Sequence, residues 1–112
     1  EKEMIKVINN LKAAFPGTSF LMISVHDKSI KKGTNLVTDP TILRLLETQK
    51  NIARQADIAL WSLFDAMGGE NSMPTWVSAN PPLAFKDYLH FNDQGAAKIA
   101  ALLTNAIFEL YK

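Results

Sequence analysis

Apolar residues along the chain fall into two spacings that predict helices separated by buried strands. In residues 1–17 they recur every three or four positions, which predicts an amphipathic helix ended by Pro16-Gly17. Residues 18–25 and 58–64 are short, nearly continuous apolar runs, typical of strands buried on both faces of a parallel sheet. The inward face of the first helix is expected to carry Met4, Ile5, Ile8, Leu11 and Phe15.

Two further helices are predicted, one over residues 38–57 and one that closes the chain. Each begins with residues that favour a helix start, and Pro40 suits the first turn of the earlier one. The candidate N-caps are Thr38 or Asp39 for the first and Asn92 or Asp93 for the second. The closing helix would turn apolar residues inward as far as Leu110.

The segments between these elements, residues 26–37 and 65–91, are expected to be long loops, the second with one short helical turn near Trp76. The order helix, strand, helix, strand, helix predicts an α/β fold with parallel strands over residues 1–112. Two strands cannot cover three amphipathic helices and leave both sheet edges open. We therefore expect the chain to be the second half of a larger domain.

Composition excludes several classes of function. The apolar fraction of 47% suits a globular domain, and a net charge of +1 with no concentrated basic face argues against nucleic-acid binding. The chain has no cysteine, so disulfides and thiolate metal sites are absent. No apolar run reaches the roughly 20 residues of a membrane span.

Asp87 and His90 are the strongest candidates for chemistry. They lie in the second long loop, beyond the carboxyl end of a strand, where parallel sheets place their ligands. A carboxylate three residues before a histidine can accept a hydrogen bond from its Nδ1, which leaves Nε2 free to take a proton. The alternative is a solvated turn in which His90 only packs against the last helix.

Three other interpretations stay open. One metal ion could be coordinated by Asp87, His90 and Asp93, although no further histidine is near to complete a zinc site. His26 ends the first predicted strand and either faces a substrate or binds the backbone. Trp76 lies in a polar loop, where an aromatic ring can stack on a sugar or close a pocket mouth.

A nucleophile is missing from this pattern. None of the serines lies in a Gly-x-Ser-x-Gly turn or a similar strand-to-helix elbow. Ser72, before Met73-Pro74, is expected to cap a short helix. The chain alone is therefore predicted to be inactive toward esters.

The segment AFKDYLHFNDQGAAKIAALL resembles the last conserved block of the SGNH/GDSL hydrolase superfamily, where an Asp-x-x-His motif precedes a glycine and the final helix. AFPGTSFLMISVHD and TQKNIARQADIALWSLF look like earlier elements of that fold. AMGGENSMPTWV looks like a loop of members that act on carbohydrate esters. The resemblance covers essentially the whole chain.

The resemblance implies the C-terminal part of a three-layer α/β/α, flavodoxin-like fold, with Asp87 as triad acid and His90 as general base. The serine and the oxyanion hole would come from an N-terminal half of the same domain. The implied activity is hydrolysis of esters, above all acetyl esters on a carbohydrate, without metal or cofactor, and a glycan substrate favours an exported protein. The alternative is a non-catalytic carbohydrate-binding or assembly module with the same fold.

Overall fold

The computed structural model describes residues 1–110, with side-chain burial for residues 1–109. The prediction that Leu110 faces inward therefore lies outside the described side chains. In chain order the elements are α1 (Lys2–Ala14), β1 (Leu21–Ile23), β2 (Ser29–Lys32), β3 (Asn35–Thr38), α2 (Pro40–Ala56), β4 (Ala59–Trp61), α3 (Leu63–Ala66), α4 (Met73–Val77) and α5 (Asp93–Leu110). No helix among these residues is both long and apolar enough to cross a membrane.

Strands β1 and β4 form a two-stranded parallel sheet, with Leu21 opposite Ala59 and Ile23 opposite Trp61. The fold is thus α/β with parallel strands, as the element order predicts. Both strands are shorter than the apolar runs suggest. The second run ends as α3 rather than as strand, because the Ser62 side chain accepts a hydrogen bond from the Asp65 amide (3.1 Å) and starts a helical turn.

The prediction that both faces of these strands are buried is wrong for the described residues. Met22 packs against α1 and α2, whereas its neighbours Leu21 and Ile23 are 43% and 47% exposed. Successive side chains of a strand point to opposite faces, so one face of the sheet is covered and the other is largely open. An apolar groove of about 390 Å³ lies between that open face and α5. Its lining residues are Leu21, Ala59, Leu60, Trp61, Leu103, Ala106 and Ile107.

The first predicted loop is in fact a β-hairpin. Strands β2 and β3 pair antiparallel around a two-residue turn, Gly33-Thr34, with Lys32 opposite Asn35. Gly33 has a φ of 66°, a conformation that glycine adopts without strain and that such turns require. The Gly-Thr pair was the available signal for this hairpin, but the lysines around it obscured the alternation of apolar residues.

Two apolar clusters hold the elements together. One joins α1 to α2 through Ile8, Ile52 and Ala56, and the other surrounds Met73 and Trp76 and includes Ile99 and Leu102 of α5. The predicted inward face of α1 is only partly correct. Ile8 is buried and Ile5 packs against the same cluster, whereas three other members of that face are exposed, namely Met4, Leu11 and Phe15.

Helix α2 begins as its sequence predicts. Asp39 is the N-cap, its side chain accepts a hydrogen bond from the Thr41 amide (2.9 Å), and Pro40 occupies the first helical position. The short helical turn predicted near Trp76 is α4. Ser72 precedes α4 at its N-cap position, but its hydroxyl makes no capping hydrogen bond, so the predicted cap interaction is wrong.

Candidate active site

Asp87 and His90 lie at the tip of a tight turn between α4 and α5. The turn is closed at its base by an antiparallel bridge between Ala84 and Phe91 and by a hydrogen bond from the Phe85 amide to the His90 carbonyl (2.9 Å). Between the two candidate residues the chain reverses at Tyr88, whose φ of 56° is left-handed. The turn therefore presents both side chains from one hydrogen-bonded loop.

The Asp87 carboxylate is held at both oxygens. Oδ2 lies 2.6 Å from His90 Nδ1, and Oδ1 accepts hydrogen bonds from the amides of Leu89 and His90, each at 3.0 Å. These bonds stabilise the ionised form. The hydrogen bond from the His90 side chain, followed by those from the two amides, lowers the pKa of Asp87 to about 2. Asp87 is accordingly a carboxylate at neutral pH.

The same contact fixes the tautomer of His90. An ionised carboxylate can only accept, so Nδ1 donates and, in the neutral ring, Nε2 carries the lone pair. The His90 side chain is 69% exposed, and no group within residues 1–110 hydrogen-bonds Nε2. The imidazole is oriented by Asp87 and is free to take a proton from an incoming group.

Helix α5 is anchored directly beneath this turn. Asn92 is its N-cap, since Oδ1 accepts from the Gly95 amide (2.9 Å), and Nδ2 donates to the Pro82 carbonyl (2.8 Å). Gly95 packs so closely on the chain before the turn that a Cβ there would lie 1.9 Å from the Leu83 carbonyl oxygen. The need for glycine at this position is therefore steric.

A buried carboxylate, Asp27, connects the elements that pack beside the turn. It is fully buried, and its oxygens accept hydrogen bonds from the Thr38 hydroxyl (2.7 Å) and the Met73 amide (2.8 Å). Thr38 also exchanges two hydrogen bonds with Asn71, at 3.0 and 2.7 Å. Asp27 thereby ties the β2–β3 hairpin to the start of α4.

The hairpin in turn supports the candidate pair. The amide of Ser29, the first residue of β2, donates to the Tyr88 carbonyl (3.1 Å). Sequence reasoning did not single out Asp27 and missed this network. An acidic residue at the end of an apolar run, where burial is expected, was the signal that could have drawn attention to it.

His26 lies beside the turn. Its Nδ1 is 2.7 Å from the carbonyl oxygen of Asp27, and its ring meets the edge of Phe91 with the centroids 4.8 Å apart. Phe91 directly follows His90, so the structure brings both histidines of the chain to the same region.

Trp76 is a core residue rather than an open aromatic surface. It is 4% exposed, its Nε1 donates to the Met67 carbonyl (2.8 Å), and its ring packs against Phe91. A sugar could not stack on a ring that is covered in this way, so the interpretation of Trp76 as an exposed platform is corrected.

The metal interpretation is not supported by the geometry. Across the described part of the chain, no three His, Cys, Asp or Glu side chains converge in a way that could hold an ion. Asp93 is the first residue of α5 and does not join Asp87 and His90 in such a group.

No serine hydroxyl of residues 1–110 forms a hydrogen bond with His90. Ser24, for example, is buried, and its hydroxyl binds the Val25 carbonyl and the Phe64 amide.

No protein-family description and no curated protein sequence matches the chain. A solved structure of a peptidoglycan O-acetylesterase does match it, with a TM-score of 0.87 and 25% sequence identity over 97% of this chain. The chain spans 31% of the length of that protein. The likeness supports the α/β architecture with parallel strands described above.

Proposed function

We propose that this chain is the acid- and base-bearing segment of an SGNH-type serine esterase that removes acetyl groups from a carbohydrate. The observation that carries the proposal is the 2.6 Å contact between Asp87 Oδ2 and His90 Nδ1, with the other carboxylate oxygen held by two amides. The similarity to a peptidoglycan O-acetylesterase supports the choice of an acetylated glycan as substrate.

In the proposed reaction His90 acts first as a base and then as an acid. Nε2 takes the proton from a serine hydroxyl as its oxygen attacks the ester carbonyl. The same proton then passes to the leaving sugar oxygen, which leaves an acyl-enzyme. In the second half His90 deprotonates water, and acetate departs as the serine recovers its proton. Asp87 holds the imidazole and stabilises its protonated form.

The serine and the oxyanion hole would come from a segment outside these 112 residues, the N-terminal half of the same domain. Two observations support this partner. No serine hydroxyl of the described residues hydrogen-bonds His90, and one face of the β1–β4 sheet is open, with Leu21 and Ile23 exposed beside an apolar groove. A segment that added strands and covered this face would bury the apolar surface.

The direct test is ester turnover by the complete protein that contains this chain. The substrates are 4-nitrophenyl acetate and O-acetylated peptidoglycan, and the variants are His90→Ala and Asp87→Asn. We expect each substitution to lower kcat/KM by about a thousandfold or more, as the loss of a triad member does. Lys86→Ala is the matched control, because Lys86 is exposed in the same turn and should leave turnover unchanged.

Retention of more than about a tenth of the activity in His90→Ala would contradict the assignment, because a general base contributes at least about a hundredfold. A serine-directed phosphonate gives a second, independent result. After reaction with the complete protein, peptide mapping should locate the label outside residues 1–112. Absence of both labelling and turnover would favour a non-catalytic binding module.

A further inference from the structure

The two histidines of the chain are prepared for different tasks. His90 Nδ1 donates to a carboxylate, whereas His26 Nδ1 lies 2.7 Å from the backbone carbonyl of Asp27. A carbonyl can only accept, so His26 also carries its proton on Nδ1 and its lone pair on Nε2. Nε2 of His26 is therefore available as a hydrogen-bond acceptor.

The ring of His26 is held in one orientation. Phe91 packs against it edge to face, with an interplanar angle of 68°, and Phe91 is itself fixed by the buried ring of Trp76, 5.3 Å away between centroids. The backbone oxygen that holds Nδ1 belongs to Asp27, whose side chain is anchored by Thr38 and Met73. The lone pair on Nε2 therefore has a fixed direction.

That lone pair has no partner within residues 1–110. Nε2 is also not sealed inside the protein. An enclosed Nε2 would be a buried side-chain nitrogen without a hydrogen bond, and in the described residues the buried side-chain N and O atoms of that kind are the hydroxyl oxygens of Ser29 and Ser72. His26 is half-buried, so Nε2 reaches the surface from a largely covered ring. A rigid, solvent-reached acceptor beside the catalytic turn is a group that a ligand can use.

We infer that His26 Nε2 accepts a hydrogen bond from a hydroxyl or N-acetyl amide N–H of the glycan next to the acetylated position. The inference rests on the proposed function and names a residue that selects the sugar rather than the ester. Sugars carry many donors, and a preoriented acceptor binds one of them at little entropic cost. His26 would therefore contribute to glycan affinity and less to the chemistry of the acetyl group.

The test compares His26→Phe with His26→Gln in the complete protein. Phenylalanine keeps a ring that can pack on Phe91 but offers no acceptor, whereas glutamine restores an acceptor oxygen. The measured quantity is the Kd of a peptidoglycan disaccharide without O-acetyl groups, by calorimetry. We expect His26→Phe to raise this Kd about 2- to 10-fold, the usual worth of one neutral hydrogen bond. His26→Gln should recover part of the loss, and Lys86→Ala should bind like the wild type.

Kinetics supply the second readout. In His26→Phe the KM for O-acetylated glycan should rise more than the KM for 4-nitrophenyl acetate, which carries no sugar. An unchanged Kd, a Gln variant as weak as the Phe variant, or equal losses on both esters would overturn the inference and indicate a structural role.

The outcome for His26 can be separated from that for the proposed function. The Kd measurement needs no hydrolysis. A wild-type protein that binds the disaccharide but does not turn over esters would therefore refute the proposed esterase activity, and the Kd values of the His26 variants would still test the role of His26 in binding. Turnover in a protein whose His26→Phe variant binds normally would support the esterase and refute the role of His26. A wild-type protein that does not bind the disaccharide would also overturn the inference.

Discussion

Substitution of Gly95 by alanine sets two physical effects against each other. Alanine favours helices over glycine by up to about 1 kcal/mol, so propensity alone predicts that Gly95→Ala stabilises the first turn of α5. The structure predicts the opposite. A Cβ at this position would lie 1.9 Å from the oxygen and 3.0 Å from the carbon of the Leu83 carbonyl. Both are backbone atoms, so no flexible side chain can move aside.

The size of the effect follows from that distance. Ordinary contact begins near 3.4 Å, so α5 and the chain at Leu83 would have to separate by about 1.5 Å, well beyond van der Waals tolerance. Such a movement would break the hydrogen bond from the Asn92 amide to Leu83, now 3.2 Å long. Overpacking costs about 1–3 kcal/mol and the lost hydrogen bond about 1 kcal/mol. When the propensity gain of up to about 1 kcal/mol is subtracted, we expect a net loss of about 1–3 kcal/mol in the free energy of unfolding.

Denaturant unfolding of the complete protein measures this loss. The control is Ala97→Gly, at an exposed position of the same helix, which should cost about 1 kcal/mol through propensity alone. A Gly95→Ala variant that is as stable as the wild type, or more stable, would refute the reasoning. That result would mean that α5 does not approach the chain before the turn as closely as described.

Three further outcomes test the surroundings of the site. Thr38→Val removes the hydroxyl that binds the buried carboxylate and should cost about 2–4 kcal/mol by denaturant unfolding, with Thr38→Ser close to wild type. Asn92→Ala removes both the cap and the hydrogen bond to the Pro82 carbonyl and should lose about 1–2 kcal/mol, whereas Asn92→Asp keeps the accepting oxygen of the cap and should lose less. In an NMR titration the Asp87 carboxyl should have a pKa of about 2, and this pKa should rise toward 3.8 in His90→Ala. Because the folded pKa lies below 3.8, the stabilising contribution is complete above about pH 4 and is lost as the pH falls toward 2. A wild-type midpoint at or above 3.8 would contradict the hydrogen-bond geometry.

The features that sequence predicted correctly are those that depend on local chemistry. Helix α2 begins at an aspartate cap followed by proline, and α5 begins after one of its two candidate caps, Asn92. The contact between Asp87 and His90 also follows from local spacing, because three residues in a turn bring the two side chains together. In each case the partners lie within a few positions along the chain, so their interaction needs little knowledge of the rest of the fold.

The features that sequence missed depend on distant partners. Asp27 is buried because its oxygens meet Thr38 and Met73, the second of them 46 positions away. The exposure of Leu21 and Phe15 depends on which surfaces the neighbouring elements cover, and the apolar pattern alone does not contain that information. Periodicity indicates which residues prefer burial, whereas the other elements determine which of them obtain it.

The preorganisation of the candidate pair belongs to this second kind of feature. Asp87 reaches both amides and the imidazole only because the chain reverses at Tyr88, whose left-handed conformation costs a non-glycine residue about 1–2 kcal/mol. Tyr88 is held in that conformation at both polar backbone groups. Its amide donates to the Phe85 carbonyl, and its carbonyl accepts from the Ser29 amide in the hairpin that sequence did not predict. The spacing Asp-x-x-His therefore identifies the pair. The geometry in which His90 can act as a base depends on the β2–β3 hairpin, which holds Tyr88, and on Asp27, which ties that hairpin to α4.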